Sequence, residues 1–372
     1  MKNSMSWLDI KVWIKEQKQF VEGSYVDNVY VVDSLIVLKL RTRVSPSYVW
    51  LIIEPGRRIS ITRTEMKFVS SGGSGRQQLW RRMVRDCLIS DIEQLDLERV
   101  VFFKLRCGST ERKLVVELLP RGVVAVLDQN NKIVLTTESR SMKDRTVKPG
   151  VLYRPPPLRK PFTEMNVDEL RQSIKQGKDV VRGLIKGWSL PPEIAETVIQ
   201  LCNVDPSADS ASISDEDLEC LRRQAEDLVN TAVTNPEPCT VYSNDEPIGF
   251  YPFVPPKYIS ARIEKFEKFN DAVDTYFQKM LEHVLSKRVA QELEAEMKKL
   301  EKSVEDIDRR IADAKKDLEE LKKRIEVLES KYVELEELHR CVIHVVKERG
   351  WSELRVCSRE GISITRVEPK HG

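Results

Sequence analysis

The chain has 372 residues, of which 41% are hydrophobic and 32% are charged, and its net charge is +2. This length allows two or three domains. No apolar run approaches the roughly 18 residues that a membrane-spanning helix needs, and residues 1–13 lack the apolar core of a secretory signal peptide. These features exclude the membrane and secreted classes, so we expect a cytoplasmic protein.

The small net charge conceals a polarity along the chain. Residues 1–160 hold 29 Lys and Arg against 17 Asp and Glu, a net charge of +12, so the other 212 residues carry −10. A basic front followed by an acidic rear favours a polyanionic partner for the front. The alternative is a solvated surface whose charge is merely uneven.

The residues that most often carry chemistry are sparse. Seven cysteines are spread from position 87 to position 357 without a Cys-x-x-Cys pair. This pattern favours unpaired thiols in a reducing compartment over a disulfide framework or a zinc site. The four histidines all lie beyond residue 282, and the hydrolase, P-loop, zincin and dinucleotide-binding motifs are missing. We therefore predict a protein that is not an enzyme and needs no cofactor or metal.

The front of the chain, residues 1–150, predicts a β-rich domain. A helix from about Ser6 to Val21 opens it and ends before Gly23. Short apolar strands with turn signals between them follow, which is typical of an antiparallel barrel or sandwich. A basic helical stretch, RQQLWRRMVRDCL at 76–88, interrupts the strands.

Five arginines of this domain could form an RNA-binding surface: Arg57 and Arg58 just after a strand, and Arg81, Arg82 and Arg85 on the basic helix. Guanidinium groups bind phosphate through two parallel hydrogen bonds. The ring of Trp80 could stack on a base, but we favour the alternative that it belongs to the hydrophobic core.

A proline-rich linker at 151–162 separates the front domain from a small helical domain at 163–256. Asn166 begins a capping box for one helix, Pro191-Pro192 opens another, and Ser214 caps a longer one. A turn-rich stretch at the end of this domain predicts a pair of strands.

Residues 257–349 contain neither Gly nor Pro and predict one long helix of about 135 Å. Apolar residues recur there at alternating steps of four and three from Leu293 to Leu335, which is the heptad pattern of a coiled coil. No second heptad stretch occurs in the chain. We therefore expect a partner outside it, either a second copy or a segment of a longer polypeptide. The end of the chain, 350–372, predicts the start of an arm-tip element with a strand at 361–367.

Five segments stand in an order that resembles a known family. They are SWLDIKVWIKE, EPGRRISIT, DLERVVFF, VVELLPRGVVAVLDQNNKIVL and GKDVVRGLIKGWSLPPEIAETVI. They resemble the NFACT family of ribosome quality-control factors, of the RqcH and NEMF type, which includes archaeal fibronectin-binding-protein-A-like members. The resemblance implies an α+β fold with a barrel- or sandwich-like NFACT-N domain, a helix-hairpin-helix domain and the first helix of a coiled-coil arm. The family's second arm helix and its NFACT-R domain have no counterpart in the sequence.

The resemblance also implies a function. Family members bind large ribosomal subunits that carry a stalled peptidyl-tRNA, hold tRNA, and promote untemplated addition of residues to the nascent chain, with the ribosome performing the peptidyl transfer. The family's functional Asp in the opening helix matches Asp9, and its Asp-Arg pair matches Glu98 and Arg99, with Glu in place of Asp. The hairpin sequence SLPPE replaces a GxG, which argues against phosphate binding by the hairpin backbone.

Simpler interpretations of these residues stay open. Asp9 could be a solvated charge near a helix N-terminus, and Arg99 could form a salt bridge with Glu98 or Asp96. A barrel followed by a helix-hairpin-helix also describes a DNA glycosylase, although the chain starts Met1-Lys2 rather than Pro-Glu. A coiled-coil scaffold or adhesin is the third interpretation, and the missing export signal argues against an adhesin.

Overall fold

The computed structural model describes residues 1–32, 34–64, 75–142, 144–358 and 364, apart from the side chains of residues 285 and 287–290. It divides the chain into two compact units, Met1–Leu285 and Ser286–Gly372. The predicted α+β class is confirmed, because a large antiparallel sheet is combined with several helices, one of them long.

The first unit is built on a sheet of nine antiparallel strands in the order β4-β3-β2-β1-β5-β6-β7-β8-β9. The strands are β1 (Tyr25–Val32), β2 (Leu35–Arg41), β3 (Tyr48–Glu54), β4 (Arg58–Thr62), β5 (Leu88–Gln94), β6 (Val100–Cys107), β7 (Thr110–Glu117), β8 (Val124–Leu127) and β9 (Ile133–Thr136). Almost all neighbours follow one another in sequence, so the sheet is a series of hairpins joined where β5 meets β1. The sequence did not predict β5, whose apolar residues are interrupted by polar ones.

The sheet curls so that distant strands approach each other. Gly56, in the turn between β3 and β4, donates its N–H to the Glu117 carbonyl at the end of β7 over 3.1 Å. A Cβ at Gly56, whose φ is +76°, would lie 3.1 Å from the Leu119 carbonyl oxygen, so the close approach requires glycine. The inward face contributes alternate residues such as Leu51 and Phe103 to one continuous core.

Two helices pack on this sheet. α1 (Trp7–Val21) begins at a capping box formed by Ser6 and Asp9 and lies against β5. α2 (Gly75–Val84) contacts both β1 and β9, which are well apart in the strand order. Trp80 of α2 is completely buried, which confirms that its ring is part of the core.

The helical region lies in the same unit. Its helices are α3 (Val167–Ile174), α4 (Val180–Gly187), α5 (Pro192–Leu201) and α6 (Asp215–Thr234). A three-stranded sheet follows, in which β12 (Cys239–Ser243) lies between β13 (Glu246–Tyr251) and β14 (Arg262–Lys265). Two shorter strands, β10 (Arg140–Ser141) and β11 (Thr146–Val147), pair with each other near the linker. The caps predicted at Asn166 and Ser214 are confirmed. Leu184 and Ile194 join the same core as the large sheet, so the two regions predicted as separate domains share one interior.

The long helix is shorter than the sequence predicted. α7 runs from Phe269 to Ser330 and α8 from Tyr332 to Arg349, with a break at Lys331. The prediction of a helix from residue 257 is wrong for 257–268, because part of that stretch forms β14 and pairs with β12. Although this stretch contains no helix-breaking residue, its backbone hydrogen bonds to a neighbouring strand and forms a sheet instead. The first two turns of α7 bury the rings of Phe269 and Tyr276 in the first unit.

The second unit comprises most of α7, then α8 and a short 3-10 helix, Trp351–Cys357. Val345 of α8 and Leu354 of the short helix pack together in a small apolar cluster. The heptad residues of α7 are exposed, for example Leu300 at 61%. The strand predicted at 361–367 falls outside the described residues except for position 364. Among the helices of the described residues, none is long and apolar enough to cross a membrane.

The prediction of unpaired cysteines is wrong. Three disulfides join residues 87 to 107, 202 to 220 and 341 to 357, and only Cys239 is free. Each pair is separated by 16 to 20 residues along the chain, which sequence spacing alone does not distinguish from scattered thiols. The pairing arises from tertiary contact: for example, Cys87 stands directly before β5, opposite the last residue of β6.

Candidate RNA-binding site

A cavity of about 730 Å³ opens on the first unit. Three segments form most of its wall: residues 1–7, residues 97–99 in the turn between β5 and β6, and residues 189–193 between α4 and α5. Its volume lies within the range of roughly 300–1,000 Å³ that is usual for ligand sites. Because the segments come from both the front region and the helical region, no single sequence motif predicted the cavity.

The β5–β6 turn presents Glu98 and Arg99 to the cavity. The Glu98 N–H donates to the Leu95 carbonyl over 2.8 Å, and the Leu95 N–H donates to the Val100 carbonyl over 2.9 Å, which closes a tight turn. The side-chain amide of Gln94 donates to the carbonyls of Glu98 (3.0 Å) and Trp7 (2.8 Å). The turn is therefore tied to the start of α1.

Asp9 lies behind the wall and is completely buried. Its Oδ2 accepts hydrogen bonds from the Ser6 N–H (2.7 Å) and hydroxyl (2.9 Å) and an ion pair from Lys2 Nζ (2.7 Å). Its Oδ1 has no partner among the described residues. Burial raises the pKa of Asp9 to about 6, although the Lys2 charge opposes this rise. Asp9 is thus not the solvated helix charge that the sequence left open.

Lys2 fixes the N-terminal segment in place. Its ammonium lies 2.7 Å from Asp9 and 2.5 Å from Glu193 of α5. Burial alone would lower the pKa of Lys2, but the two carboxylates raise it above its usual value. The Lys2 N–H donates to the Ile248 carbonyl and the Met5 N–H donates to the Arg57 carbonyl, each over 2.8 Å. The segment is therefore held between β13 and the turn directly before β4.

Arg99 is a half-buried charge in the cavity wall. No described residue forms an ion pair or hydrogen bond with its guanidinium. Burial lowers the pKa of Arg99, and the charges of Glu98 and Asp9 oppose that shift. Burial likewise raises the pKa of Glu98. The salt bridge with Glu98 or Asp96 that the sequence left open is not formed, so the guanidinium can bind an anion.

Further basic side chains in the wall were missed by the sequence analysis. Lys186 is exposed, Arg159 donates to the Lys186 carbonyl, and Lys257 pairs with Glu196 over 2.5 Å. These three residues lie in separate segments between positions 159 and 257. Only the local charge of each segment could therefore have indicated them. Together with Arg99 they favour a polyanion at the mouth of the cavity.

The hairpin between α4 and α5 contributes few backbone donors. The Leu190 N–H donates to the Leu184 carbonyl over 3.1 Å, and Pro191 and Pro192 have no N–H. The Ser189 carbonyl accepts a hydrogen bond from the Trp7 indole over 2.7 Å. This hairpin therefore braces α1, and its backbone lacks the row of free amides that grips phosphate in related hairpins.

Arg57 and Arg58 lie apart from the cavity wall. Their guanidinium carbons stand 5.0 Å and 4.2 Å from the centre of the Phe277 ring, and both pair with Glu54. The side chain of Arg58 is only 13% exposed, and burial lowers its pKa against the opposing charges of Glu54 and Asp274. These two arginines stack on the first turns of α7.

The arginines of α2 form a third group. Arg81 donates to the Val29 carbonyl over 3.1 Å and lies 5.9 Å from the Tyr30 ring, whereas Arg82 and Arg85 are exposed. The eight predicted site residues thus fall into three groups. The structure gathers Asp9, Glu98 and Arg99 around the cavity and leaves Arg57, Arg58, Arg81, Arg82 and Arg85 outside its wall.

Sequence comparison defines the class of protein to which this fold and cavity belong. The model of the NFACT N-terminal and middle domains matches residues 7–361, so the chain belongs to this family. The archaeal Rqc2 homolog aRqcH of Methanocaldococcus jannaschii is 22% identical over 97% of this chain and 55% of its own length. The mouse ribosome quality control complex subunit NEMF is 22% identical over 81% of this chain and 30% of its own length. The chain thus spans about half or less of these relatives.

Solved structures share the fold. The fibrinogen binding protein from Staphylococcus aureus superposes with a TM-score of 0.59 at 15% identity, over 73% of this chain and 98% of that one. The N-terminal part of the fibronectin/fibrinogen-binding protein from Streptococcus suis gives a TM-score of 0.55 at 16% identity, over 74% and 99% respectively. At these identities the likeness extends to the fold alone.

Proposed function

We propose that this chain is the RNA-binding front part of a ribosome quality-control factor. It would bind large ribosomal subunits that carry a stalled peptidyl-tRNA, contact tRNA through the cavity, and support untemplated C-terminal tailing of nascent chains. The relatives named as ribosome quality-control proteins, aRqcH and NEMF, support this assignment. The ribosome would supply the peptidyl transfer, so the chain acts by binding, in the cytoplasm.

The observation that carries the proposal is the unbonded guanidinium of Arg99 beside Glu98 in a basic cavity wall. Burying the charge of an arginine without a partner costs free energy, and the binding of an anion offsets that cost. A phosphate can accept two parallel hydrogen bonds from the guanidinium. Glu98 can accept a hydrogen bond from a base or a ribose hydroxyl next to that phosphate.

Asp9 has a different role in this proposal. Because it is completely buried and bonded to Lys2 and Ser6, it positions the N-terminal segment and does not touch RNA itself. Removing the carboxylate would leave Lys2 with Glu193 alone and loosen residues 1–6. Asp9 would therefore influence RNA binding through the shape of the cavity.

The remaining predicted arginines divide by exposure. Arg82 and Arg85 are exposed on α2 and could add phosphate contacts of the salt-dependent kind. Arg57, Arg58 and Arg81 already stack on aromatic rings. Their guanidinium edges could still meet RNA, but their substitution would also disturb the packing.

The test is sedimentation of the chain with large ribosomal subunits that hold tRNA, at increasing salt. Arg99→Ala is expected to weaken binding by about tenfold or more, as the loss of a charge-assisted contact usually does. Arg223→Ala, an exposed arginine of α6 outside the cavity wall, serves as the matched control and should bind like the wild type. Far-UV circular dichroism of both variants checks the fold.

The proposal predicts that log affinity falls linearly with log salt concentration, and that the slope is shallower for Arg99→Ala. Binding without salt dependence would contradict a polyanionic partner. Equal binding by the Arg99 and Arg223 variants would place the contact elsewhere on the molecule.

A further inference from the structure

The outer face of the nine-stranded sheet carries exposed aromatic and basic side chains at one end of its strands. Val26 of β1, Leu40 of β2 and Val49 of β3 point into the core, so the residues next to them along the strands point outward. These outward residues, here called the tyrosine row, are Tyr25, Arg41 and Tyr48. Arg41 lies directly opposite both tyrosines in the strand pairing. The three side chains therefore stand side by side on the surface.

Both tyrosine rings remain partly in water. Tyr25 is 37% exposed and Tyr48 is 39% exposed, although the burial of an aromatic ring is favourable. Neighbouring strands lie about 4.8 Å apart, so the backbones of the two tyrosines are about 10 Å apart across β2. The guanidinium carbon of Arg41 lies 5.3 Å from the centre of the Tyr25 ring, and the ammonium of Lys39 lies 4.5 Å from the centre of the Tyr48 ring. Each ring thus has a cation beside it.

The positive charge of this face is largely unpaired. The side chain of Arg41 forms no ion pair and no hydrogen bond with any other described residue. The guanidinium of Arg43 reaches Gly23, just before β1, since a Cβ at Gly23 would lie 3.3 Å from its central carbon. Lys39 pairs with Asp27 over 3.4 Å. The surface around the tyrosine row therefore keeps an excess of positive charge, which favours an anionic partner.

The same line of residues continues across the sheet beyond β1. Tyr25 pairs with Leu88 of β5, and Leu88 pairs with Arg106 of β6, so Arg106 belongs to the same outer face. Arg106 is exposed. Its side chain forms no ion pair with a described residue, although Glu111 of β7 lies directly opposite. Arg41 and Arg106 thus leave a guanidinium group on either side of Tyr25 without an acidic partner in the described part of the chain.

We propose that the tyrosine row binds single-stranded RNA, with bases stacked on its two rings and phosphates bound by the arginines beside them. Unpaired bases stack on aromatic side chains, and the sheet of an RNA-recognition motif binds single strands in this way. In a duplex each base face is covered by the next base pair, about 3.4 Å away along the strand. Only an unpaired strand can therefore offer base faces to two separate rings. The choice of RNA over another single-stranded polyanion rests on the proposed function.

The tyrosine row lies away from the cavity. It meets β5 at the first residue of that strand, Leu88, whereas the cavity wall includes residues 97–99, just beyond the other end of β5. Six residues of strand at about 3.3 Å each place the two regions roughly 20 Å apart along β5. The row is therefore an RNA contact separate from the cavity.

The test measures the binding of a fluorescein-labelled oligouridylate of about eight nucleotides to the full chain by fluorescence anisotropy. Tyr48→Ala should weaken binding about tenfold, and Tyr25→Ala with Tyr48→Ala about a hundredfold, because each substitution removes one stacked base. Tyr25→Phe with Tyr48→Phe keeps both rings and should bind like the wild type. Tyr332→Ala, at an exposed tyrosine of α8, is the matched control and should leave the affinity unchanged.

Salt dependence tests the phosphate contact without removing either ring. Arg41→Gln should reduce the slope of log affinity against log salt concentration by about 0.7, the value for one phosphate contact on a single strand. This variant also keeps the proposal testable if the double Ala variant does not fold, which far-UV circular dichroism would reveal.

Three results would overturn the proposal: wild-type affinity in a folded double Ala variant, loss of binding in the double Phe variant, or an unchanged salt slope in Arg41→Gln. The proposed function is tested separately, by Arg99→Ala and ribosomal subunits. If Arg99→Ala weakens ribosome binding while the double Ala variant binds oligouridylate normally, only the tyrosine row is refuted. If the oligouridylate results are as expected but Arg99→Ala binds ribosomal subunits like the wild type, only the cavity contact is refuted.

Discussion

The two units treat their apolar residues in opposite ways. In the first unit the sheet, the helices and the first turns of α7 bury their apolar faces in one continuous core, in which Trp13, Phe103 and Trp188 are completely buried. In the second unit the large heptad residues of α7 from Met297 to Leu328 are about half exposed, although they recur at regular heptad spacing. A regular apolar pattern therefore predicts a helix or a strand, but whether its apolar face is buried depends on the other elements that pack against it.

The first unit also contains a buried ion pair, between Glu117 and Arg145. Glu117 of β7 is completely buried and accepts hydrogen bonds from Arg145 (2.5 and 3.1 Å) and from the Tyr153 hydroxyl (2.8 Å). Because Glu117 would lose its counter-charge, Arg145→Ala should lower the free energy of unfolding by about 3–5 kcal/mol. Arg140→Ala, which breaks the more exposed pair with Glu138, should cost less than about 1 kcal/mol. Urea unfolding measures both, and equal losses would contradict a sealed interior.

The disulfides offer a second comparison, because two lie in the first unit and one in the second. Removing the bond at Cys202–Cys220 by a double Ser substitution should lower the free energy of unfolding by about 3 kcal/mol, as expected for a loop of this length. The same change at Cys341–Cys357 should loosen only the contact between α8 and the short helix after it. Thermal unfolding of the two variants checks this. A similar fall in the main transition for both would show that the units unfold together.

Asp274 lies in the second turn of α7, within the first unit, and it supplies a pH-dependent comparison. Burial raises its pKa to about 6, against the opposing charge of Arg58. Because the folded-state pKa exceeds the unfolded value of 3.8, the stabilising contribution of protonated Asp274 is complete below pH 3.8 and is lost as the pH rises through 6. Asp274→Asn should lack this loss. Between pH 4 and pH 7 the free energy of unfolding of the wild type should therefore fall by about 2–3 kcal/mol more than that of the variant. Guanidinium unfolding at several pH values measures the difference, and parallel pH profiles of the two proteins would contradict it.

Local sequence signals predicted most of the elements correctly. The caps at Asn166 and Ser214, the strands with regular apolar alternation and the apolar stripe of α7 all depend on residues that are close together in the chain. The beginning of α7 was mistaken because β14 forms through pairing with a strand more than 20 residues earlier. No property of residues 257–268 themselves indicates that partner.

The candidate site was predictable only in part for the same reason. Asp9, Glu98 and Arg99 were identified through the resemblance to a family, and the structure brings them together. The contact between Lys2 and Glu193 joins residues 191 positions apart, so neither residue carried a signal of its own. Arg58 shows the converse: its basic context suggested an exposed contact, yet it stacks on Phe277.

Amide hydrogen exchange of the full chain tests the contrast between the units most directly. If the first unit is closed and the apolar stripe of α7 is uncovered, amides in residues 297–328 should exchange fast. Those of the buried strands β6 and β7 should exchange far more slowly. Amides in residues 297–328 that are protected as strongly as those of β6 and β7 would show that the stripe is already covered and would contradict the account.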